Sequence, residues 1–166
     1  MKTKLFAIGL TIGAVALVQT LWAASTTSNV TVSATVSATA KLSVGAATLT
    51  FPNSDPDTVA SIAATEGAVS ISAKAKTGTA GAVTLTLLSG TDLTSGSDTI
   101  DISNMTWTAS GAGFVAGTMN KTTAQTVASW TGSGSRSGSQ TFALANSWAY
   151  PTGSFSATAT YTLTAP

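Results

Sequence analysis

Apolar and polar residues alternate with a period of two through most of this chain. The longest run covers residues 29–44. Val30, Val32, Ala34, Val36, Ala38, Ala40, Leu42 and Val44 hold its even positions, and Ser, Thr or Lys41 hold the odd ones between them. Such a period gives an extended strand one buried and one wet face. At about 3.3 Å per residue the run would reach roughly 50 Å, whereas strands of five or six residues are usual. Either it bends to serve two sheets, or its first half extends beyond the domain. A second unbroken run lies near the other end. There Phe155, Ala157, Ala159, Tyr161 and Leu163 share one face and Ser and Thr fill the other. It reads as a closing strand against which the earlier strands pack.

Between these ribbons the pattern predicts many short elements. Residues 48–51 form a short strand, 52–57 a loop rich in Pro, Asn and Asp, and 60–64 a helical turn or an irregular crossing. Residues 69–76 alternate with Lys74 and Lys76 outward, turn at 77–81 and continue as 83–88, the pattern of a hairpin. Residues 89–98 read as an exposed loop. Further strands are expected at 99–102, 105–109, 114–119, 126–130 and 140–144, with the Gly/Ser-rich stretch 132–138 as the most flexible loop. Beyond about residue 24 no stretch sustains a 3.6-residue period. Many short strands at regular spacing predict an all-β fold, an immunoglobulin-like antiparallel β-sandwich, preceded by a helical signal peptide. It is read as one domain over residues 25–166, with 25–38 as a candidate N-terminal extension.

Composition sharpens this picture. Charged residues make up only 8% of the chain, well under the usual quarter. Ser and Thr together supply roughly a third, and Thr suits the wet face of a sheet. Hydrophobic residues still reach 43% and are regularly spaced, which excludes a disordered chain. The seven Lys and Arg residues form no cluster in sequence, so nucleic acid is not an expected partner.

Residues 1–24 have the anatomy of a secretory signal peptide. Lys2 and Lys4 form a basic head, residues 5–21 are mainly apolar, and Trp22-Ala23-Ala24-Ser25 offers small residues for cleavage. The apolar stretch is long enough to span a bilayer, but Gly9, Gly13 and Gln19 favour a cleaved signal over an anchor. Export to the periplasm, cell surface or medium is therefore expected, with no membrane attachment after cleavage. Loss of Lys2 and Lys4 takes the formal charge from +1 to −1. The chain has no Cys, so packing and hydrogen bonds must hold it together outside the cell. The short basic head and the absence of Cys fit a bacterial secreted protein.

Catalytic chemistry is thin. Without His or Cys, the usual general base, the thiol nucleophile and the best transition-metal ligands are missing. Six carboxylates remain, at Asp55, Asp57, Glu66, Asp92, Asp98 and Asp101. Nothing in their spacing sets two across a cleft as glycoside hydrolysis needs, and none fits the twelve-residue calcium loop. No catalytic residue, metal site or cofactor is assigned, and the chain is not read as an enzyme. Trp107 alternates with Thr106 and Thr108 and should point inward. Trp148 and Tyr150 lie near a turn and are the candidates for an exposed aromatic platform that stacks on sugar rings.

Residues 151–155, followed by alternation that ends in Tyr161-Thr162-Leu163-Thr164, resemble the closing hairpin of secreted bacterial surface sandwiches. Two groups share that look: pilin-like and spore-coat-U-like subunits, and more weakly the WxL wall-binding domains. Residues 42–51, which end in Leu49-Thr50-Phe51, also resemble the first core strand of pilin-like domains. The chain contains no Trp-x-Leu and no disulfide, and the resemblance transfers no site residue. It implies a surface protein with an immunoglobulin-like fold. Two functions follow as expectations. The first is a structural subunit of a fimbria, filament or coat, in which Val30, Val32, Ala34 and Val36 complete the sheet of another copy or of another surface subunit. The second is an adhesin or a wall- or carbohydrate-binding module that uses Trp148 and Tyr150.

Overall fold

Strand pairing begins at Thr39. The computed structural model describes residues 26–166, so the signal peptide expected at 1–24 lies outside the described residues. Among the described residues there are ten strands and a single 3-10 turn, Ile102–Asn104. The strands are β1 (Thr39–Val44), β2 (Ser61–Lys76), β3 (Ala82–Leu88), β4 (Leu93–Ser95), β5 (Asp98–Ile100), β6 (Met105–Ser110), β7 (Gly117–Thr118), β8 (Gln125–Thr131), β9 (Gly134–Ala145) and β10 (Thr160–Thr164). They form a five-stranded sheet in the order β1-β2-β9-β6-β7, a three-stranded sheet β10-β3-β8 and the small hairpin β4-β5. Every pairing is antiparallel. The fold is the all-β antiparallel sandwich that the alternation predicts. All of it falls within Thr35–Pro166, and residues 26–34 are assigned to a separate unit.

The core follows from the period of two. Val69, Ile71 and Ala73 of β2, Trp107 of β6 and Phe142 and Leu144 of β9 turn inward from the larger sheet. Val83, Leu85 and Leu87 of β3 turn inward from the smaller one. In β8 a bulge leaves Val127 without a partner between Ala128, opposite Leu85, and Thr126, opposite Thr86. Both Val127 and Ala128 are buried as a result, an outcome strict alternation does not give. Trp107 is buried as expected; it packs against Phe142, and its Nε1 donates to the carbonyl of Val115 at 2.9 Å.

Several expectations are corrected. Residues 61–64 are the start of β2 rather than a helical turn or an irregular crossing. The register of β2 against β9 then slips between Ala63 and Ala68, where Gly67 takes φ +64°. The displaced groups are satisfied by residues 48–51, which form no regular strand: Thr65 N donates to the carbonyl of Thr50, and Thr50 N donates to Glu66 Oε2. β2 and β3 are not a hairpin. The turn at 77–81 carries the chain from one sheet to the other, because Ala73 and Ala75 on one strand and Val83 on the other share one buried cluster. The expected loop 89–98 contains β4 and the start of β5, anchored by buried Leu93 and Ile100. Of the expected strand at 114–119 only β7 forms.

The largest correction concerns residues 132–138. From Gly134 onward this stretch is β9, which pairs with β2 on one side and β6 on the other. Its small residues serve close packing. A Cβ at Gly138 would stand 2.5 Å from both Phe114 Cδ2 and the carbonyl oxygen of Ser110. The closing ribbon shrinks correspondingly. Only Thr160–Thr164 pair as β10, at the edge of the smaller sheet, while Ser156 bridges to Thr94.

Candidate functional site

The two flanks of the sandwich are finished differently. On the β7–β8 flank the chain between β6 and β7 crosses from sheet to sheet. Val115 N donates to the carbonyl of Val127, Ser129 N donates to that of Gly113, and Phe114 bridges to Ala128. This crossing closes the flank, and Phe114, Trp107 and Met119 are buried beneath it. On the opposite flank β1 and β10 are the sheet edges. They come near one another, yet no ladder joins them. Their outer N–H and C=O groups are those of edge strands, which can pair with a further strand.

The side chains along the open flank register the same difference. Leu42 and Val44 stand opposite buried Ala73 and Ile71, and so face inward. Tyr161 and Leu163 stand opposite buried Leu87 and Leu85, and also face inward. All four are only half-buried, although they pack on the core. Sequence alternation identifies them as inward-facing but not as members of one seam, because only the topology brings the two ends of the chain together.

At the base of this flank sits Gln140, fully buried in the middle of β9. Tyr161 Oη donates to Gln140 Oε1 at 2.5 Å and so ties the smaller sheet to the larger. Burial pushes the Tyr161 phenol up to about 12, which keeps it protonated as a donor. The amide nitrogen of Gln140 finds no partner among the described residues. Sequence reading passed over Gln140, since a polar residue ahead of an apolar strand looks like a strand end.

The four predicted donor residues lie N-terminal to β1. None of residues 26–38 belongs to a strand ladder. Val30 is 83%, Val32 88% and Val36 75% exposed, and Ala34 is exposed too. Exposure of three valines in one alternating register leaves about 1.5–3 kcal/mol of burial unrealised for each large aliphatic side chain.

Trp148 and Tyr150 have separate environments. Trp148 is 71% exposed, and its Nε1 donates to Asp57 Oδ1 at 2.9 Å, which pins the indole over the 52–60 loop. That loop is held in turn by Asn146, whose Nδ2 donates to the carbonyls of Ser54 and Val59. Tyr150 is half-buried against the core, and burial pushes its phenol up. Trp148 alone is therefore presented as a flat aromatic surface.

Asp92 and Asp101 serve the backbone and one ion pair. Asp101 caps the 3-10 turn by accepting from Ser103 N at 2.8 Å, which holds its carboxyl below the usual range. Asp92 accepts from Lys121 Nζ at 2.5 Å and from Ile102 N at 3.1 Å, and both hold its carboxyl below the usual range. Among the described residues no group of three or more carboxylates is placed to hold a metal ion. No described helix is long and apolar enough to cross a membrane. Comparison with known proteins brings no match: no family model, curated protein or solved structure is similar to this chain.

Proposed function

We propose that this chain is a secreted structural subunit of the bacterial cell surface, of the fimbrial, filament or coat kind, and that it assembles by β-strand addition. The open flank carries the reading. Two strand edges unpaired among the described residues, and four half-buried inward side chains, stand on one side of a sandwich whose other side is closed by its own chain. The same molecule has an alternating apolar ribbon, residues 30–36, with no ladder partner among the described residues. Added to an edge, such a ribbon forms main-chain hydrogen bonds and presents alternate side chains to the seam. Burial of Val30, Val32 and Val36 would contribute about 1.5–3 kcal/mol each. The resemblance to pilin-like subunits points the same way, and the signal segment at 1–24 supports export.

The test compares the secreted chain with a variant lacking residues 25–38, by size-exclusion chromatography and electron microscopy. The full chain is expected to form oligomers or filaments and the truncated chain to stay monomeric. A synthetic peptide of residues 29–38 should bind the truncated chain. The same oligomers from the truncated protein would refute strand addition by this ribbon.

A second reading, a surface adhesin or a wall- or carbohydrate-binding module, is favoured by one observation: the exposed Trp148 indole held in place by Asp57. Retention on peptidoglycan or a glycan array that disappears in Trp148→Ala would support it, and absence of specific retention by the native protein would reject it.

A further inference from the structure

The side-chain charges of this sandwich are sorted by end. β1 starts, β2 ends and β9 starts at one end, where the 77–81 and 131–134 connections also lie. There Lys41 stands directly opposite Lys74, Thr39 opposite Lys76, and Arg136 opposite Ala73. Lys41, Lys74 and Lys76 are exposed and share the outer face of the larger sheet, since Ala73 and Ala75 between them are buried. Arg136 lies over the Trp130 ring at 5.7 Å on the inner side. No ion pair joins any of these four cations to a carboxylate among the described residues.

All six carboxylates lie toward the other end. Asp55 and Asp57 precede the start of β2, and Glu66 sits in its register slip, five residues before the first residue paired with β1. Asp92, Asp98 and Asp101 flank the hairpin between β3 and β6. Lys121 is the one cation there among the described residues, and it is paired with Asp92. One end thus carries +4 and the other −5 in formal side-chain charge. β2 alone has 16 residues and spans roughly 50 Å. That is several times the Debye length of about 10 Å at 0.1 M salt, so the two ends do not neutralise each other within one molecule.

From this polarity we infer that the cationic end of one copy docks on the carboxylate end of the next, in a head-to-tail, heterologous contact. Charge complementarity names the partner: the surface opposite in sign to the Lys41–Lys74–Lys76 face is the far end of the same chain. A heterologous contact of this kind propagates into rings or open filaments rather than stopping at a two-fold dimer. A lysine on an edge strand also deters stray pairing. That accounts for Lys41 but not for Lys74 and Lys76, which stand on the inner strand β2. Residues 36–38 line a shallow hollow with Lys76, Thr77 and Gly78, so the chain enters the sandwich at the cationic end. The contact rests on the subunit reading above in taking a second copy as partner, and it sets the polarity of assembly.

The test uses the full secreted chain and two charge-reversed variants. Lys41→Glu/Lys74→Glu/Lys76→Glu makes both ends negative, and Asp55→Lys/Asp57→Lys/Asp98→Lys makes the carboxylate end positive. Circular dichroism checks that each folds. Sedimentation velocity of the native chain should show self-association that weakens about tenfold or more between 0.05 and 0.5 M NaCl. Each variant alone should lose it, and an equimolar mixture of the two should regain it. Association that ignores salt, or a mixture that stays monomeric while the native chain associates, would overturn the proposal. So would a monomeric native chain whose lysine face binds only an anionic polymer such as polyphosphate. Salt-sensitive association that survives removal of residues 25–38 would sink strand addition and leave the charged contact standing. Salt-insensitive association that needs those residues would do the reverse. The native salt titration stands as a test even where a variant fails to fold.

Discussion

Gln140 is a fully buried amide whose oxygen is held by Tyr161 and whose nitrogen has no partner among the described residues. A buried polar group costs most when its partner is removed and least when both partners are replaced by apolar ones. Tyr161→Phe is therefore expected to cost about 1–3 kcal/mol, because it strands the Gln140 carbonyl. Adding Gln140→Leu to that variant should recover most of the loss. Urea unfolding of the two single variants and the double measures the coupling, and additive costs would contradict it. Neither member was legible as a partner in the sequence. Tyr161 read only as one more inward residue of a closing strand, and the contact joins residues 21 positions apart across two sheets.

Among the elements, β9 and not β10 organises the sandwich. It lies between β2 and β6 in the larger sheet, and its first residues are glycine and serine. Those residues carry no apolar alternation, so local pattern assigns them to a loop. What makes them strand is non-local: Gly134 pairs with Ala75 and Gly138 with Ile71, in a ladder supplied by β2. The two glycines differ in what a side chain would meet. Gly138→Ala should destabilise by about 1–3 kcal/mol, because the new methyl would press on Phe114 and on the Ser110 backbone. At Gly134 the nearest atoms stand at 3.5 and 3.9 Å. Gly134→Ala should be neutral or stabilising by about 0.5 kcal/mol, through lower entropy of the unfolded chain. Equal effects in thermal unfolding would mean that β9 is not packed this way.

At the scale of the whole molecule, the titrating groups define a broad plateau of stability. Asp92 is held low by the hydrogen bond from Lys121, Asp101 by Ser103 N, and Glu66 by Thr50 N. A carboxyl depressed in the fold contributes stability that is present above its ordinary value, 3.8 for Asp and 4.5 for Glu, and lost as pH falls through the folded value. Tyr161 is shifted the other way. Its contribution is whole below the ordinary 10.0 and disappears as pH rises toward about 12. With no His and no Cys, no side chain titrates between. The melting temperature should be flat from about pH 5.5 to about pH 9.5 and fall on both sides. A step near neutrality in a differential scanning experiment would contradict this.

The sequence by itself determined the fold class, the inward face of the strands that alternate, such as β1, the second half of β2, β3 and β10, and the inward position of Trp107. Those properties follow from a period of two and the exclusion of apolar side chains from water, which each segment expresses alone. It also marked the ribbon at 30–44 as alternating and unusually long. Only the tertiary structure decided which strands are neighbours: that β2 and β3 part into different sheets, that a Gly/Ser stretch becomes a central strand, and that β1 and β10 lie together on an unclosed flank. Those facts depend on contacts between residues far apart in the chain, and local pattern cannot encode a partner. The sorting of charge has the same origin. Scattered along the sequence, four lysines and arginines meet at one end and six carboxylates gather toward the other only because antiparallel strands return the chain to the same two ends.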